Sequence, residues 1–180
     1  MPPKDATGAM SITPPASKPR RKSHAQSSHD SPTLDLERYV PAFITFIANK
    51  LSNSATALYQ GRFGVNVTEW RIMSLLAIEP DIAAARICQV IGFDKGPVSR
   101  TLAGLQKRGL IAIRTDPDDG RTHMISLTAR GRATHDQVIV AALDRERRLL
   151  SCLSRDEQEV LIDLLRRLHN NLGAVTSDDA

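Results

Sequence analysis

The sequence predicts a mainly α-helical fold with one small β-hairpin inserted among the helices. From residue 34 onward, apolar residues recur at steps of three and four through most of the chain, which is the spacing of amphipathic helices. The pattern alternates only in two short stretches, residues 111–114 and 125–127, which indicates a pair of strands. Aromatic residues make up only 4% of the 180 residues, so the core must consist of aliphatic side chains. A chain of this length favours one domain with a helical extension.

The first 33 residues differ from the rest in composition. They hold six of the ten prolines, many Ser, Thr and Ala residues, and no apolar periodicity. Five basic residues against two acidic ones, 5 − 2 = +3, make the segment basic. Residues 1–33 are therefore predicted to form a disordered, basic, proline-rich tail.

The first predicted helix covers residues 34–60. Pro41 either kinks this helix or marks a start just before itself, because proline is tolerated only in the first turn of a straight helix. Gly61 and Gly64 are expected to end it.

Two shorter helices follow. Thr68 is the expected N-cap of the second helix, which runs to about Ile78, with Glu69 well placed at its positive end. The third covers residues 82–91 and is closed by Gly92. The inward-facing residues of this third helix are predicted to be Ile87, Val90 and Ile91.

A fourth helix is predicted to begin at Lys95 behind an Asp94 N-cap. Pro97 falls within its first turn, where the missing N–H breaks no intrahelical bond, and Gly109 ends the helix. Its buried stripe is predicted to be Val98, Leu102 and Leu105.

The two alternating stretches are joined by the turn-rich sequence DPDDG, so they form a hairpin with an extended tip. Thr128 caps a long helix that runs to about Leu150, and the sequence SRDE, beginning at Ser154, is a capping box that opens the last helix. This last helix carries an apolar stripe that fits burial either on a partner chain or in the core of a monomer. The stripe consists of Val160, Leu161, Leu164, Leu165, Leu168 and Leu172.

Positive charge is concentrated in the centre of the chain. From Lys95 to Arg132, eight basic residues stand against three acidic ones, 8 − 3 = +5, in a chain of net charge +4. The outer face of the fourth helix combines this charge with small residues, although a glycine such as Gly104 costs about 1 kcal/mol relative to alanine inside a helix. A bare, basic face suits the major groove of DNA, where Arg100 can bond guanine and Ser99 a base or a phosphate. Gly104 fits close approach to DNA or close packing on a neighbouring helix.

The hairpin supplies a second predicted contact. Arg121, near its tip, can enter the minor groove next to the major groove that the helix occupies. Asp119 would orient an arginine through a charge-assisted hydrogen bond, although a simple solvated turn also explains the acidic tip. The positions predicted to form the DNA interface are Lys95, Gly96, Pro97, Ser99, Arg100, Thr101, Lys107, Arg114, Asp119 and Arg121.

The sequence ICQVIGFDKGPVSRTLAGLQKRGLIAIRTDPDDGRTHMISLTARGR, from Ile87 to Arg132, resembles the winged helix-turn-helix regulators of the multiple antibiotic resistance regulator (MarR) type. The order of helix, glycine turn, VSRTL, L-x-x-R-G-L-I, Asp-x-Arg and SLTARGR carries the resemblance, which covers residues 36–172. It implies a winged helix-turn-helix domain at residues 65–128. It also implies a helical dimerisation region formed by residues 34–62 and 129–175.

By position, the resemblance assigns Ser99 and Arg100 to the DNA-contacting sites of the recognition helix. It assigns Asp119 and Arg121 to the Asp-x-Arg of the wing, whereas Gly120 stands where many members have another basic residue. The implied function is that of a homodimeric, sequence-specific regulator, a repressor of a nearby operon that binds a pseudo-palindromic operator in double-stranded DNA. Non-specific architectural DNA binding, with the basic tail contributing much of the affinity, is the alternative.

Members of this family often release DNA when a small phenolic or other anionic effector binds. Trp70 and Arg71 are candidate ligand-cleft residues, with Arg71 pairing a carboxylate; a core tryptophan and a surface arginine are the alternative. Cys88 is explained by packing, a redox role for Cys152 stays open, and the cysteine of the organic-hydroperoxide sensors is absent from the start of the first helix.

Several classes of protein do not fit the sequence. The longest apolar stretch, residues 39–48, is too short to cross a bilayer and no signal peptide is visible, so a cytoplasmic location is expected. The two cysteines and five histidines lack metal-ligand spacing, and neither a metal nor another cofactor is expected. No nucleophile triad or phosphate-binding glycine loop points to an enzyme.

Overall fold

The computed structural model describes residues 33–115 and 122–176, so residues 1–32 of the predicted tail lie outside the described residues. Residues 33–39 belong to a separate unit, in which the backbone N–H of Glu37 donates to Asp35 Oδ1 at 3.0 Å. The elements of the second unit are α1 (Val40–Phe63), α2 (Val67–Ile78), β1 (Ile82–Ala83), α3 (Ala84–Ile91), α4 (Lys95–Lys107), β2 (Ile111–Thr115), β3 (His123–Leu127), α5 (Ala129–Leu149), a 3-10 turn (Leu150–Cys152), α6 (Arg155–Asn170) and the short α7 (Gly173–Thr176).

The first helix begins later than residue 34. It starts at Val40, so Pro41 lies in its first turn, which is the second of the two predicted arrangements, and residues 34–39 are not helical. At its other end the helix continues through Gly61, and the prediction that this glycine ends it was wrong. Gly64, with φ of +69°, follows the last helical residue.

The second helix is capped two residues earlier than predicted. Asn66, and not Thr68, is the N-cap: its Oδ1 accepts the N–H groups of Thr68 and Glu69 at 2.9 and 3.0 Å. Glu69 Oε2 accepts the N–H of Asn66 at 2.8 Å, which completes a capping box. The predicted end at Ile78 is confirmed.

A third strand joins the predicted hairpin. Residues Ile82–Ala83 were expected to begin a helix, but they pair antiparallel with β3, with Ile82 opposite Ile125. Strands β2 and β3 pair antiparallel as predicted, with Ile113 opposite the same Ile125. The strand order is β1-β3-β2, so the start of the helix-turn-helix and the hairpin share one sheet.

Helix α3 therefore begins at Ala84. Ile87 is fully buried and Ile91 is half-buried, one turn further on, whereas Val90 is 41% exposed. Ile87, Cys88 and Ile91 are the residues of this short helix that pack on the core, so the prediction for Val90 was wrong. Gly92, with φ of +67°, closes the helix as predicted.

The core lies between the second half of α1, α2, α3, α4, the sheet and the middle of α5. Its most buried side chains include Ile72, Leu76, Ile87, Leu105 and Ile125, each no more than 2% exposed. Burial of each such aliphatic side chain contributes about 1.5–3 kcal/mol to folding. This core supports the fourth helix from beneath.

The last two long helices are capped as predicted. Thr128 Oγ1 accepts the N–H of Gly131 at 3.0 Å, at the start of α5. Glu157 Oε2 accepts the N–H of Ser154 at 2.7 Å in the capping box of α6, and this hydrogen bond lowers the pKa of Glu157.

The apolar stripe of α6 is not covered by the described part of the chain. Leu164, Leu165 and Leu168 remain 45 to 47% exposed. Within the described residues, this stripe is therefore not part of the monomer core. Similar exposure extends over the first half of α1, at Val40, Phe43, Ile44, Phe46, Ile47 and Leu51. No helix within residues 33–115 and 122–176 is long and apolar enough to cross a membrane.

Candidate nucleic-acid interface

Helix α4 presents two contrasting faces. Val98, Leu102 and Leu105 are buried, as the helical periodicity predicts. The opposite side is exposed to solvent and carries cations and small side chains. Its exposed residues are Lys95, Gly96, Pro97, Ser99, Arg100, Ala103 and Lys107.

The leading end of α4 is open. Asp94 occupies the N-cap position as predicted, but its side chain makes no capping hydrogen bond. Pro97 lies in the first turn, and the N–H of Val98 donates to the Asp94 carbonyl at 3.3 Å. The helix therefore begins without a side-chain cap, and residues 95–97 are exposed.

Gly96 and Thr101 both contact parts of their own helix. Nη1 of Arg100 lies at an ordinary van der Waals distance, 3.7 Å, from the position that a Cβ on Gly96 would occupy. Thr101 is half-buried and its hydroxyl donates to the Pro97 carbonyl at 2.9 Å. The Thr101 hydroxyl is therefore hydrogen-bonded to the backbone of its own helix.

Gly104 faces open space. No neighbouring heavy atom in the described part of the chain lies within 4 Å of the position that its Cβ would take. Close packing on a neighbouring helix, one of the two explanations offered by the sequence, therefore finds no neighbour there. Approach of an external surface is the explanation that the geometry favours.

Substitution of Gly104 by alanine should stabilise the protein and weaken DNA binding. Alanine in a helix interior is favoured over glycine by about 0.5–1 kcal/mol, and nothing nearby opposes the methyl group. Gly61→Ala is a matched control, because Gly61 is also helical with no neighbour within 4 Å. Thermal unfolding should show a similar gain for both variants, and only Gly104→Ala should lose affinity for DNA. Unchanged affinity of Gly104→Ala would show that this face does not meet DNA.

The two strands of the hairpin are linked through a residue that the sequence did not single out. Asp81 Oδ1 accepts a hydrogen bond from Arg114 Nη2 at 3.1 Å and another from the hydroxyl of Ser126. Asp81 has φ of +55°, in the left-handed region that aspartate tolerates better than most residues. Arg114, predicted to contact DNA, is therefore paired with a carboxylate, although 68% of its side chain is exposed.

Asp119, Gly120 and Arg121 lie outside the described residues. Their predicted roles in orienting an arginine and entering the minor groove stay predictions.

Arg86, at the start of the helix-turn-helix, is also paired. Its Nε and Nη2 donate to the two carboxylate oxygens of Glu79 at 2.9 and 3.0 Å. These hydrogen bonds lower the pKa of Glu79 and raise that of Arg86. The guanidinium is thus held across the loop that joins α2 to β1.

A cavity of about 220 Å³ lies between α1, α2 and α5. Trp70 forms part of its wall, stacked on the ring of His135 with 5.2 Å between centroids. Arg71 also lines it, and its Nη2 donates to Ser52 Oγ at 2.9 Å. Arg145, on the α5 side, adds a second guanidinium that the sequence did not predict. The cavity therefore joins an aromatic wall to two cations and to the carboxylate of Glu146, while Trp70 also packs against the core.

No group of three or more His, Cys, Asp or Glu side chains suited to a metal ion occurs within the described ranges. Cys88 is half-buried and Cys152 is exposed, and both are free thiols.

Comparison with known proteins gives consistent matches. The sequence profile of the MarR family matches residues 63–122. The helix-turn-helix-type transcriptional regulator YdgJ of Bacillus subtilis (strain 168) is 26% identical over 115 residues, which are 62% of this chain and 68% of that protein.

Among solved structures, a MarR/EmrR family transcriptional regulator from Acinetobacter sp. ADP1 is 33% identical, with a TM-score of 0.74 over 78% of this chain and 99% of that one. The fold also matches the PcaV transcriptional regulator of Streptomyces coelicolor, solved in complex with its natural ligand. That match has 24% identity and a TM-score of 0.64 over 78% of this chain and 98% of that one.

Proposed function

Because this chain belongs to the MarR family of transcriptional regulators, we propose that it binds a pseudo-palindromic operator as a homodimer, represses a nearby operon and is released by a small anionic effector. The matched proteins are transcriptional regulators and not enzymes. The proposal concerns how this particular chain reads DNA, associates and responds.

The observation that carries the proposal is the outer face of α4. Ser99 and Arg100 project from the exposed side of a helix whose neighbouring positions are Gly96, Ala103 and Gly104. An α-helix with a low, cationic face fits the major groove, and an arginine there can make a bidentate bond to guanine O6 and N7. Lys95 and Lys107, at the two ends of the face, are proposed to contact phosphates.

The first test is selection of bound duplexes from a random-sequence pool, followed by affinity measurements on a selected and a random duplex over a range of salt concentrations. A sequence-specific regulator should prefer the selected duplex by at least about a thousandfold. Both duplexes should bind more weakly as salt rises, because phosphate contacts release counterions. A shallow salt dependence without any preference would refute the proposal. Architectural binding would instead be supported if both duplexes showed the same steep salt dependence and if deletion of residues 1–33 abolished it.

Two apolar surfaces support the proposed homodimer. The exposed faces of α1 and α6 lie in residues 34–62 and 129–175, the proposed dimerisation region, outside the proposed winged domain at residues 65–128. Exposed apolar patches larger than a few hundred Å² are uncommon on monomers and mark association sites. A second copy of this chain is the occupant that the family resemblance implies.

The cavity beside Trp70 supports the proposed effector site. Arg71 and Arg145 can pair with a carboxylate while Trp70 packs against an aromatic ring. PcaV, which shares the fold, was solved with its natural ligand. We propose a small phenolic or other aromatic acid as the effector class.

Salicylate should quench the fluorescence of Trp70, the only tryptophan in the chain, and weaken binding to the selected duplex. Arg71→Met should reduce salicylate affinity by about tenfold, because a charged hydrogen bond contributes about 1.5 kcal/mol. Arg62→Met is the matched control, since Arg62 does not line this cavity. If salicylate quenches the Arg71→Met and unsubstituted proteins equally at each concentration, Arg71 does not bind the effector.

Repression requires a test in the cell. Deletion of the gene should raise transcript levels of adjacent genes whose upstream DNA contains the selected sequence. A fall in those transcripts would identify an activator.

A further inference from the structure

Arg108 does not behave as a member of the basic DNA-facing surface. It follows the last residue of α4, and its side chain is only 37% exposed. Nη1 donates to the carbonyl of Gly64 at 2.6 Å, and Nη2 donates to Glu69 Oε1, also at 2.6 Å. The guanidinium is therefore directed into the protein.

The two acceptors lie at one place in the fold, the corner between α1 and α2. Gly64 follows the last residue of α1, where its φ is +69°. Glu69 lies in the first turn of α2, with 12% of its side chain exposed, and its second carboxylate oxygen accepts the N–H of Asn66. One arginine thus connects the end of α4 to a corner that is itself fixed by a capping box.

This connection can fix the rotation of α4 about its own axis, which the apolar contacts of the helix do not fix. Three side chains, Val98, Leu102 and Leu105, hold α4 on the core, and apolar contacts have no directional preference. A rotation of about 10° around the helix axis would move side-chain atoms about 6 Å from that axis by about 1 Å. The donor–acceptor distance of a hydrogen bond varies over a range of only about 0.5 Å, so a rotation of this size would disrupt hydrogen bonds to the bases.

We propose that Arg108 is a positioning residue that acts through Glu69 and Gly64 and does not contact DNA itself. Its planar, rigid guanidinium fixes the rotation of α4, so that Ser99 and Arg100 reach the base edges together. This inference rests on the proposed DNA-binding function.

The substitution Glu69→Gln separates a positioning role of Arg108 from a direct phosphate contact, because the two roles predict opposite changes in DNA affinity. Glu69→Gln removes a negative charge near the interface, so electrostatics alone would strengthen DNA binding or leave it unchanged. Positioning through Glu69 predicts weaker binding, because the charged partner of Arg108 is lost. Glutamine keeps the side-chain volume and can still cap the N–H of Asn66.

The experiment measures affinity for a selected and a random duplex across salt concentrations, using the full chain and the variants Arg108→Met, Glu69→Gln and their double substitution. Each single variant should bind the selected duplex about tenfold more weakly, equivalent to about 1.4 kcal/mol, and the random duplex with nearly unchanged affinity. The double variant should bind no more weakly than the singles, because both remove the same contact.

Lys107→Met is the matched control on the neighbouring, exposed position. It should weaken binding to both duplexes and lower the salt slope by about 1, as expected for a lost phosphate contact. Circular dichroism and thermal unfolding establish that each variant is folded at the temperature of measurement. If Arg108→Met does not fold, Glu69→Gln alone decides.

Unchanged or tighter binding of Glu69→Gln to the selected duplex would overturn the positioning role. The same conclusion follows if Arg108→Met, like Lys107→Met, lowers the salt slope and weakens binding to both duplexes. Failure of the unsubstituted protein to distinguish the two duplexes would instead refute the proposed function, so the two failures are separable.

Discussion

Substitution of Arg100 by alanine should remove much of the preference for the selected duplex while leaving affinity for random DNA nearly unchanged. Arg100 lies on the exposed face of α4, next to the bare Gly96. A bidentate arginine–guanine pair contributes about 1–3 kcal/mol to discrimination between bases. The preference for the selected sequence should therefore fall roughly 5- to 150-fold for each half-site. A homodimer makes this contact twice. The measurement is the ratio of the two affinities at one fixed salt concentration.

Lys107→Ala provides the comparison. It also removes one positive charge from the exposed face of α4, but a lysine at a phosphate should affect selected and random duplexes alike. Equal losses on both duplexes for Arg100→Ala would mean that Arg100 contacts the backbone and that the bases are read elsewhere.

Introduction of two glutamates into the stripe of α6 should abolish the proposed dimer and, with it, tight binding to the selected duplex. Leu165 and Leu168 are each nearly half exposed in the chain, and burial of both on a second copy would make them part of an apolar interface. The double variant Leu165→Glu, Leu168→Glu would place two unpaired charges there, at a cost of several kcal/mol for each subunit. Light scattering should show a monomer, and affinity for the selected duplex should fall by at least about a hundredfold.

Arg166→Glu serves as the control for added negative charge, because Arg166 lies on the side of α6 opposite this stripe. It should remain a dimer. A dimeric double variant that binds normally would show that copies associate through another surface, or that the stripe receives a different partner.

The elements that depend on nearby residues were predicted well. The buried stripe of α4, the glycine turn before it and the caps at Thr128 and Ser154 follow from spacings within one or two turns. The cap of α2 was predictable but missed. Thr68 and Asn66 are both suitable caps, and Glu69 three residues after Asn66 marks the capping box that decides between them.

Features that depend on distant residues could not be read from the sequence. Two residues are too few to show strand periodicity, and β1 exists because Ile82 meets Ile125. Arg114 and Arg108 looked alike as members of one basic block. Their carboxylate partners, Asp81 and Glu69, lie 33 and 39 positions away along the chain, and only the packed fold brings them together.

The order of the three strands also bears on aggregation. An uncovered strand edge offers backbone N–H and C=O groups to which another chain can add. In the described sheet β3 is central, and the outer strands β1 and β2 are only two and five residues long. The strand β2 ends in the exposed Arg114 and Thr115, and short edges with charged side chains oppose strand addition. Edge-to-edge pairing of the described strands is therefore disfavoured, so this small sheet is protected against strand addition by another chain.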